Sequence, residues 1–568
     1  MAADRAGQEQ RLTLSPARFL LWCAGGTVLV QMVLAGVNAA ASGLSPAFRF
    51  ILAYDTHGNF LLLIVAVAAF LLRRHPIALE VLRAGTARPW LLAAALFPML
   101  CLGALYVYHD CPLAMDEYAG LFQAEVFAAG RIAGDFPPEL LDRLIPSFLQ
   151  NHFLSVSAST GQVSSTYWPG FSLLLAPFAW LGVPWAANPA LGALAVPALH
   201  RLAKNVTGSA EAAGWTVAFT IASPVFIIAS ISYYPLQAHL LCNVLYALLL
   251  LNPSAPRALL AGLIGSVALT LHNPVPHLLF CVAFVVWLAC RPGAARLLAA
   301  LAIGYLPLTL LLGFGWREHL GHFAGQAAAG SLSPAAAIDI LPALRGAWAS
   351  FINVISPPSA EIIYARLAGS SKIWTWGALG LLVLAGYGYG AARAAPFARV
   401  LAAALAVTFF GYFLVRFDQG HGWGYRYIHS AWFVLPLLAG ACLADGADGA
   451  GDSRNGLRAM AAWGILLSLV LANGLRAAQV DSYISRHLAQ VPPLSRPADP
   501  ARPEVVFIDI RRGFYTHDMV QNDPFLRGPR ITMVLERGPG QAGLMANRFP
   551  AYRKSAEGPW GELWTAPR

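Results

Sequence analysis

Apolar runs long enough to cross a bilayer recur along nearly the whole chain. A spanning helix needs about 20 apolar residues. Runs of this kind fall near 17–41, 52–72, 90–108, 187–203, 212–231, 236–252, 257–272, 277–290, 296–314, 374–392, 398–415, 430–444 and 459–478. Short polar stretches separate most of them. The pattern predicts an all-α polytopic membrane protein of about 13 transmembrane helices. One segment breaks the alternation. Residues 168–183, WPGFSLLLAPFAWLGV, are apolar enough to enter the membrane. A full crossing there would reverse every later loop, so the segment is predicted to be a half-helix packed against protein.

Arginines orient the runs. Arg5, Arg11 and Arg18 precede the first one, and Arg73, Arg74, Arg83 and Arg88 fill the loop after the second. Arg201 with Lys204, Arg257, Arg291 with Arg296, and Arg393 with Arg399 mark later loops of the same side. Positive loops stay cytoplasmic, which sets the N-terminus inside and the C-terminus outside. The chain then divides into N-terminal helices (1–108), a first outer loop (109–167), a membrane core (168–479) with outer loops 315–373 and 416–430, and a C-terminal outer module (480–568). That module opens with a Pro-rich linker and carries two strand-like runs, VVFIDI (505–510) and ITMVLE (531–536). It is predicted to be a small α/β unit. GPGQAG at 538–543 matches a dinucleotide-loop spacing, but Pro539 interrupts it and no strand–helix–strand unit surrounds it. It is read as a Gly-rich turn.

Composition closes off other classes. Of 568 residues, 57% are hydrophobic and 12% charged. A soluble domain carries about 25% charged residues. The net charge of +10 is nearly all arginine, scattered among loops. Topology and anionic membrane lipids account for it, and no nucleic-acid partner is expected. The seven cysteines show no metal or disulfide spacing.

Between Trp168 and Val415 the acids are Glu211, Glu318, Asp339 and Glu361, none of them mid-run. A carboxylate base is therefore expected in the first outer loop. There Leu121, Phe122, Val126 and Ala129 recur at helical spacing, with Asp116 and Glu117 at the helix start. On local pattern alone these two are an N-cap and a first-turn acid. His109, Asp110, Asp116, Glu117 and His152 share the loop and could offer nitrogen and oxygen ligands to a divalent metal. Their spacing is not that of a metal site, so no metal or other cofactor is assigned.

Three stretches carry a resemblance: AMDEYAGLFQAEVFAAGRI (114–132), STYWPGFSLLLAPFAWLG (165–182) and ALHRLAKNVTGSAEAAGWTVAFTIASPVFIIAS (198–230). Their order resembles that of GT-C glycosyltransferases, in particular the bacterial family-39 and ArnT-like proteins related to protein O-mannosyltransferases. The resemblance implies a GT-C-type helical bundle in the bacterial inner membrane. It implies transfer of a sugar, with inversion, from a polyprenyl-phosphate-linked donor to a glycan, lipid or protein hydroxyl at the outer face. On that pattern Asp116 is the base, with Glu117 beside it. The donor phosphate needs cations. Candidates are Arg426, Arg416 and His421 in RFDQGHGWGYRYIHSAW (416–432), and Lys372. Tyr167 and Trp168 are further substrate contacts. The chain departs from the family in two places: SISYYPLQAHLL has Gln237 and His239 where many relatives carry an acidic residue, and LHNPVPHLL has His272 and Asn273 where a basic residue often precedes the proline. Two rival readings remain: a transporter or flippase of lipid-linked sugars, which would be expected to show internal repeats, and an inactive scaffold of the same fold.

Overall fold

The computed structural model describes residues 14–40, 44–326, 355–392, 395–444, 452–536 and 538–567. Arg5, Arg11, Asp339, Arg393 and much of the outer loop 315–373 lie outside the described residues.

Among the described residues six helices are long and apolar enough to cross a membrane: Pro16–Val37, Pro46–Leu72, Pro89–Tyr106, Ala294–Phe323, Pro396–Leu414 and Asp452–Ala489. Two bent pairs raise the number to eight. In one of them Ala210–Ala222 meets Pro224–Ile231 at 62°. Pro224 lacks an amide hydrogen and drives Ser223 out of helical backbone, to φ −91° and ψ 117°. Among the described residues five shorter helices are also apolar, among them Gly170–Trp180. That helix has 11 residues. At 1.5 Å per residue it spans about 16 Å, roughly half a hydrocarbon core. The segment that disturbed the loop alternation is thus a short helix.

Small residues let helices approach closely. A Cβ on Gly262 would sit 2.1 Å from the Leu301 carbonyl, and one on Gly304 would sit 2.1 Å from that of Leu259. Helices Ala255–Thr270 and Ala294–Leu308 therefore meet backbone to backbone, as membrane helices do through small side chains.

A buried ionic cluster ties three other helices. Asp55, on Pro46–Leu72, accepts from Lys372 Nζ at 2.6 Å and from Trp376 Nε1 at 2.6 Å. Arg476 Nη2 lies 3.1 Å from its other oxygen. Arg476 fits because residue 58 is glycine: a Cβ there would meet the guanidinium at 2.2 Å.

Among the described residues two sheets stand apart from the helices. Strands β1 (Gly134–Asp135), β2 (Leu154–Val156) and β3 (Gln162–Ser165) form an antiparallel sheet in the order β1-β3-β2. The C-terminal sheet has the order β5-β4-β7-β6. Its β4 (Glu504–Ile508) and β5 (Arg530–Val534) overlap the two runs read as strands, each starting one residue earlier, and they pair in parallel. The hairpin β6 (Arg553–Gly558) and β7 (Gly561–Thr565) was not legible in the sequence. GPGQAG leads from Gly538 into a helix, Pro539–Arg548. The two outer parts share one core: Tyr118, Phe122 and Phe136 of the loop pack with Val505, Phe507 and Met533 of the module.

Candidate active site between loop and bundle

The helix Met115–Ala128 begins at Ala114, whose extended backbone caps it without a side chain. Asp116 and Glu117 both stand in the first turn, and neither is the N-cap. Their carboxylates point to different surroundings. Glu117 is fully buried. It accepts from Tyr108 Oη at 2.8 Å, from the Leu113 amide at 2.7 Å and from the Tyr233 amide at 3.0 Å. Burial pushes its carboxyl up to about 7, against the pull of those three donors. Glu117 thus holds the loop to the Ile231–Leu236 break in the bundle and is closed to a substrate.

Asp116 keeps about a quarter of its side chain exposed. Tyr167 Oη donates to its Oδ1, and Arg426 Nη1 donates to its Oδ2 at 3.2 Å. Burial alone would raise this carboxyl. The charges of Arg426 and His272 and the two donated hydrogen bonds outweigh it and hold Asp116 below the usual carboxylate range.

Arg426 is set by a glycine-rich turn. Gly420, Gly422 and Gly424 all take positive φ. A Cβ on Gly422 would meet the Arg426 Cδ at 2.5 Å. Gln419 folds back on the turn, donating to the Gly424 carbonyl at 2.8 Å and accepting from the Arg426 amide at 3.1 Å. Its own carbonyl accepts from Arg426 Nη2. The guanidinium lies 4.4 Å over the Tyr234 ring.

Tyr167 carries the site inward, its ring stacked on His272 at 3.7 Å. His239 and His429 are buried on two helices that pack on each other, Leu236–Leu250 and His429–Trp432. Buried polar atoms without a hydrogen-bond partner among the described residues collect here: His272 Nε2, Arg426 Nε, Tyr234 Oη, and both ring nitrogens of His239, His421 and His429. Buried polar groups are nearly always satisfied, so such a concentration marks a place for a polar ligand or ordered water.

The C-terminal module closes the rim. The β4–β5 crossover carries Asp518, buried 3.7 Å from His421 Nε2 and 3.6 Å from His517 Nε2. Burial, and then the negative charge of Asp116, pushes Asp518 up to about 8. Burial holds His421 down at about 3.

The structure therefore brings Asp116, Glu117, Arg426, Tyr167, His272, His239 and His421 into one region. Three expected residues are not part of it. Lys372 is fully buried in its ion pair with Asp55, which corrects the expectation that it faces a phosphate. The count of acids began at Trp168 and so missed Asp55. Arg416 is exposed on the loop. Trp168 packs on Gly313 instead. Tyr108, Tyr234, Gln419 and Asp518 were missed, since nothing local distinguishes them from other aromatic or polar loop residues. Among the described residues no three His, Cys, Asp or Glu side chains converge as metal ligands do.

No protein-family model and no curated protein matches the chain. Solved structures do. The structure of ArnT from Cupriavidus metallidurans bound to undecaprenyl phosphate matches with a TM-score of 0.51 and 13% identity, over 85% of this chain and 100% of that one. The apo structure of the same protein matches with a TM-score of 0.46 and 13% identity, over 84% and 99%. At such identity the likeness is one of fold. The resemblance read from three short stretches is matched by a likeness of fold to ArnT over 85% of the chain.

Proposed function

We propose that the chain is an inverting glycosyltransferase. It takes a sugar from a polyprenyl-phosphate donor and places it on a hydroxyl of a glycan, lipid or protein at the outer face of the bacterial inner membrane. The reading includes about 13 crossings, with the N-terminus in the cytoplasm.

One observation carries it: a partly exposed carboxylate lies between a phenol and an arginine, beside buried polar groups that have no hydrogen-bond partner among the described residues. The ArnT structure of the same fold is bound to undecaprenyl phosphate.

A hydroxyl is a poor nucleophile. Asp116 takes its proton as the oxygen bonds to the anomeric carbon of the sugar. The bond from that carbon to the phosphate oxygen breaks, and the electron pair leaves with polyprenyl phosphate. Arg426 offsets the growing negative charge in a site largely shielded from water, where a fixed cation acts strongly. His239 and His272 offer ring N–H groups to sugar or phosphate oxygens. Glu117 positions the helix that carries Asp116.

The test uses purified protein in nanodiscs with a panel of radiolabelled polyprenyl-phosphate sugars and membrane extract as acceptor. Label should leave one donor with the wild type and stay on it with Asp116→Asn. Loss of no label from any donor, by well-folded wild type, would overturn the reading in favour of a transporter or scaffold.

A further inference from the structure

A second polar site lies at the opposite end of the bundle. Helix Ala187–Thr207 fixes the geometry. Asn188, near its start, donates to the carbonyls of Ser232 and Tyr234, beside the candidate active site. Lys204 comes 16 residues later on the same helix, about 24 Å along its axis. Around Lys204 is a cavity of about 450 Å³, lined by Leu82, Arg83, His200, Glu211 and Trp215 among others.

The cavity has an excess of fixed positive charge. Glu211 is the one carboxylate in its lining. Arg83 Nη2 approaches Glu211 at 3.3 Å, and Arg458 pairs with the same carboxylate. The lining thus holds two cations, Arg83 and Lys204, against one carboxylate that Arg458 already pairs from behind. Arg458 is more than nine-tenths buried, and its Nε finds no hydrogen-bond partner among the described residues. Arg458 stands behind the lining and takes up the charge of Glu211, which leaves the exposed cations Arg83 and Lys204 free to meet an anion in the cavity.

The other walls are apolar. Leu79, Leu82, Trp215 and Ala218 line them. Ile77 and Val81, on the same short helix as Arg83, are more than half exposed. A free anion needs no such surface, whereas an acyl chain does. We infer that this cavity binds the phosphate headgroup of an anionic phospholipid, with an acyl chain laid along Leu79, Leu82 and Trp215. Basic pockets between helices at the cytoplasmic end suit such headgroups. The site is independent of sugar transfer.

The test titrates delipidated full-length protein in nonionic detergent with phosphatidylglycerol, with phosphatidylcholine of the same chains, and with inorganic phosphate. Native mass spectrometry reads retained lipid, and thermal melting reads stabilisation. Phosphatidylglycerol should be retained and raise the melting temperature, and phosphatidylcholine should do neither. Arg83 and Lys204 are exposed, so Arg83→Gln with Lys204→Gln should fold and bind phosphatidylglycerol roughly ten- to thirty-fold more weakly. Arg201→Gln, on the same helix but outside the lining, should bind as the wild type does. Equal retention of both lipids, or no effect of the double variant, would overturn the site. Stabilisation by inorganic phosphate at lipid-like concentration would overturn the lipid as its occupant.

Discussion

At Asp116 burial and charge act in opposite directions, and charge wins. Arg426, His272 and Tyr167 keep the carboxylate ionised below its ordinary range. The base form therefore survives in acid, and the acid limb of kcat/KM due to Asp116 should fall below about pH 4. Asp116→Asn should cost roughly 10²- to 10⁴-fold in rate. A pH–rate profile checks both. Asp518 is the reverse case. Burial and the neighbouring Asp116 raise it from 3.8 to about 8. The native state then holds a proton that the unfolded chain releases, so stability is lost as pH rises from about 4 to 8. The groups facing Asp518 include Asp116, His421 and His517, and the phenols of Tyr234, Tyr483 and Tyr515. Asp518→Asn keeps the neutral form at every pH. Melting temperatures at pH 5 and pH 9 should differ less in this variant than in the wild type. An unchanged difference would mean that Asp518 is ionised throughout.

Helices Pro46–Leu72, Ala360–Thr375 and Asn473–Ala489 are joined by two cations sharing Asp55. Removing one partner of a buried pair leaves an uncompensated charge and costs about 3–5 kcal/mol. Asp55→Asn leaves two such charges. It should lower the melting temperature in detergent sharply, and adding Lys372→Met should restore part of the loss; a neutral Asp55→Asn would contradict the account. This cluster also shows where sequence reading stops. Periodicity is local, so the first-loop helix, the short helix after Trp168, β4 and β5 were all legible. Ion-pair partners 317 residues apart are not, because no local pattern in either segment depends on the other. Lys372 was assigned to a phosphate for that reason. The β6 strand RKSAEG was missed because five of its six residues are exposed, which leaves no hydrophobic alternation to read. At the site, Asp116 and Arg426 were legible as chemistry-bearing residues in outer loops. Their contact, across 310 residues, was not.

On the scale of the whole molecule, the first outer loop and the C-terminal module behave as one layer over the bundle. Tyr118, on the Asp116 helix, makes the joint. Its hydroxyl donates to the Asn522 carbonyl at 2.6 Å and accepts from the Asn522 amide at 2.8 Å. Gln521 reaches the Pro112 carbonyl at 2.9 Å, just ahead of the same helix. Phe122 and Phe136 bury against Val505 and Met533. The helix that aims Asp116 is therefore held from below by Glu117 and from above by the module. Tyr118→Phe would leave a buried amide and carbonyl unpaired, at about 1–3 kcal/mol. If the module only decorates the fold, that change should lower stability and leave turnover intact. If the layer sets Asp116 against Arg426, it should lower kcat more than it raises KM, because the base is misplaced while the donor still binds. Truncation after Ala489 should go further: it bares the apolar face of the loop and should abolish transfer while the helices still insert. Turnover of labelled donor by the truncated chain at the wild-type rate would show that loop and bundle form the site without the module.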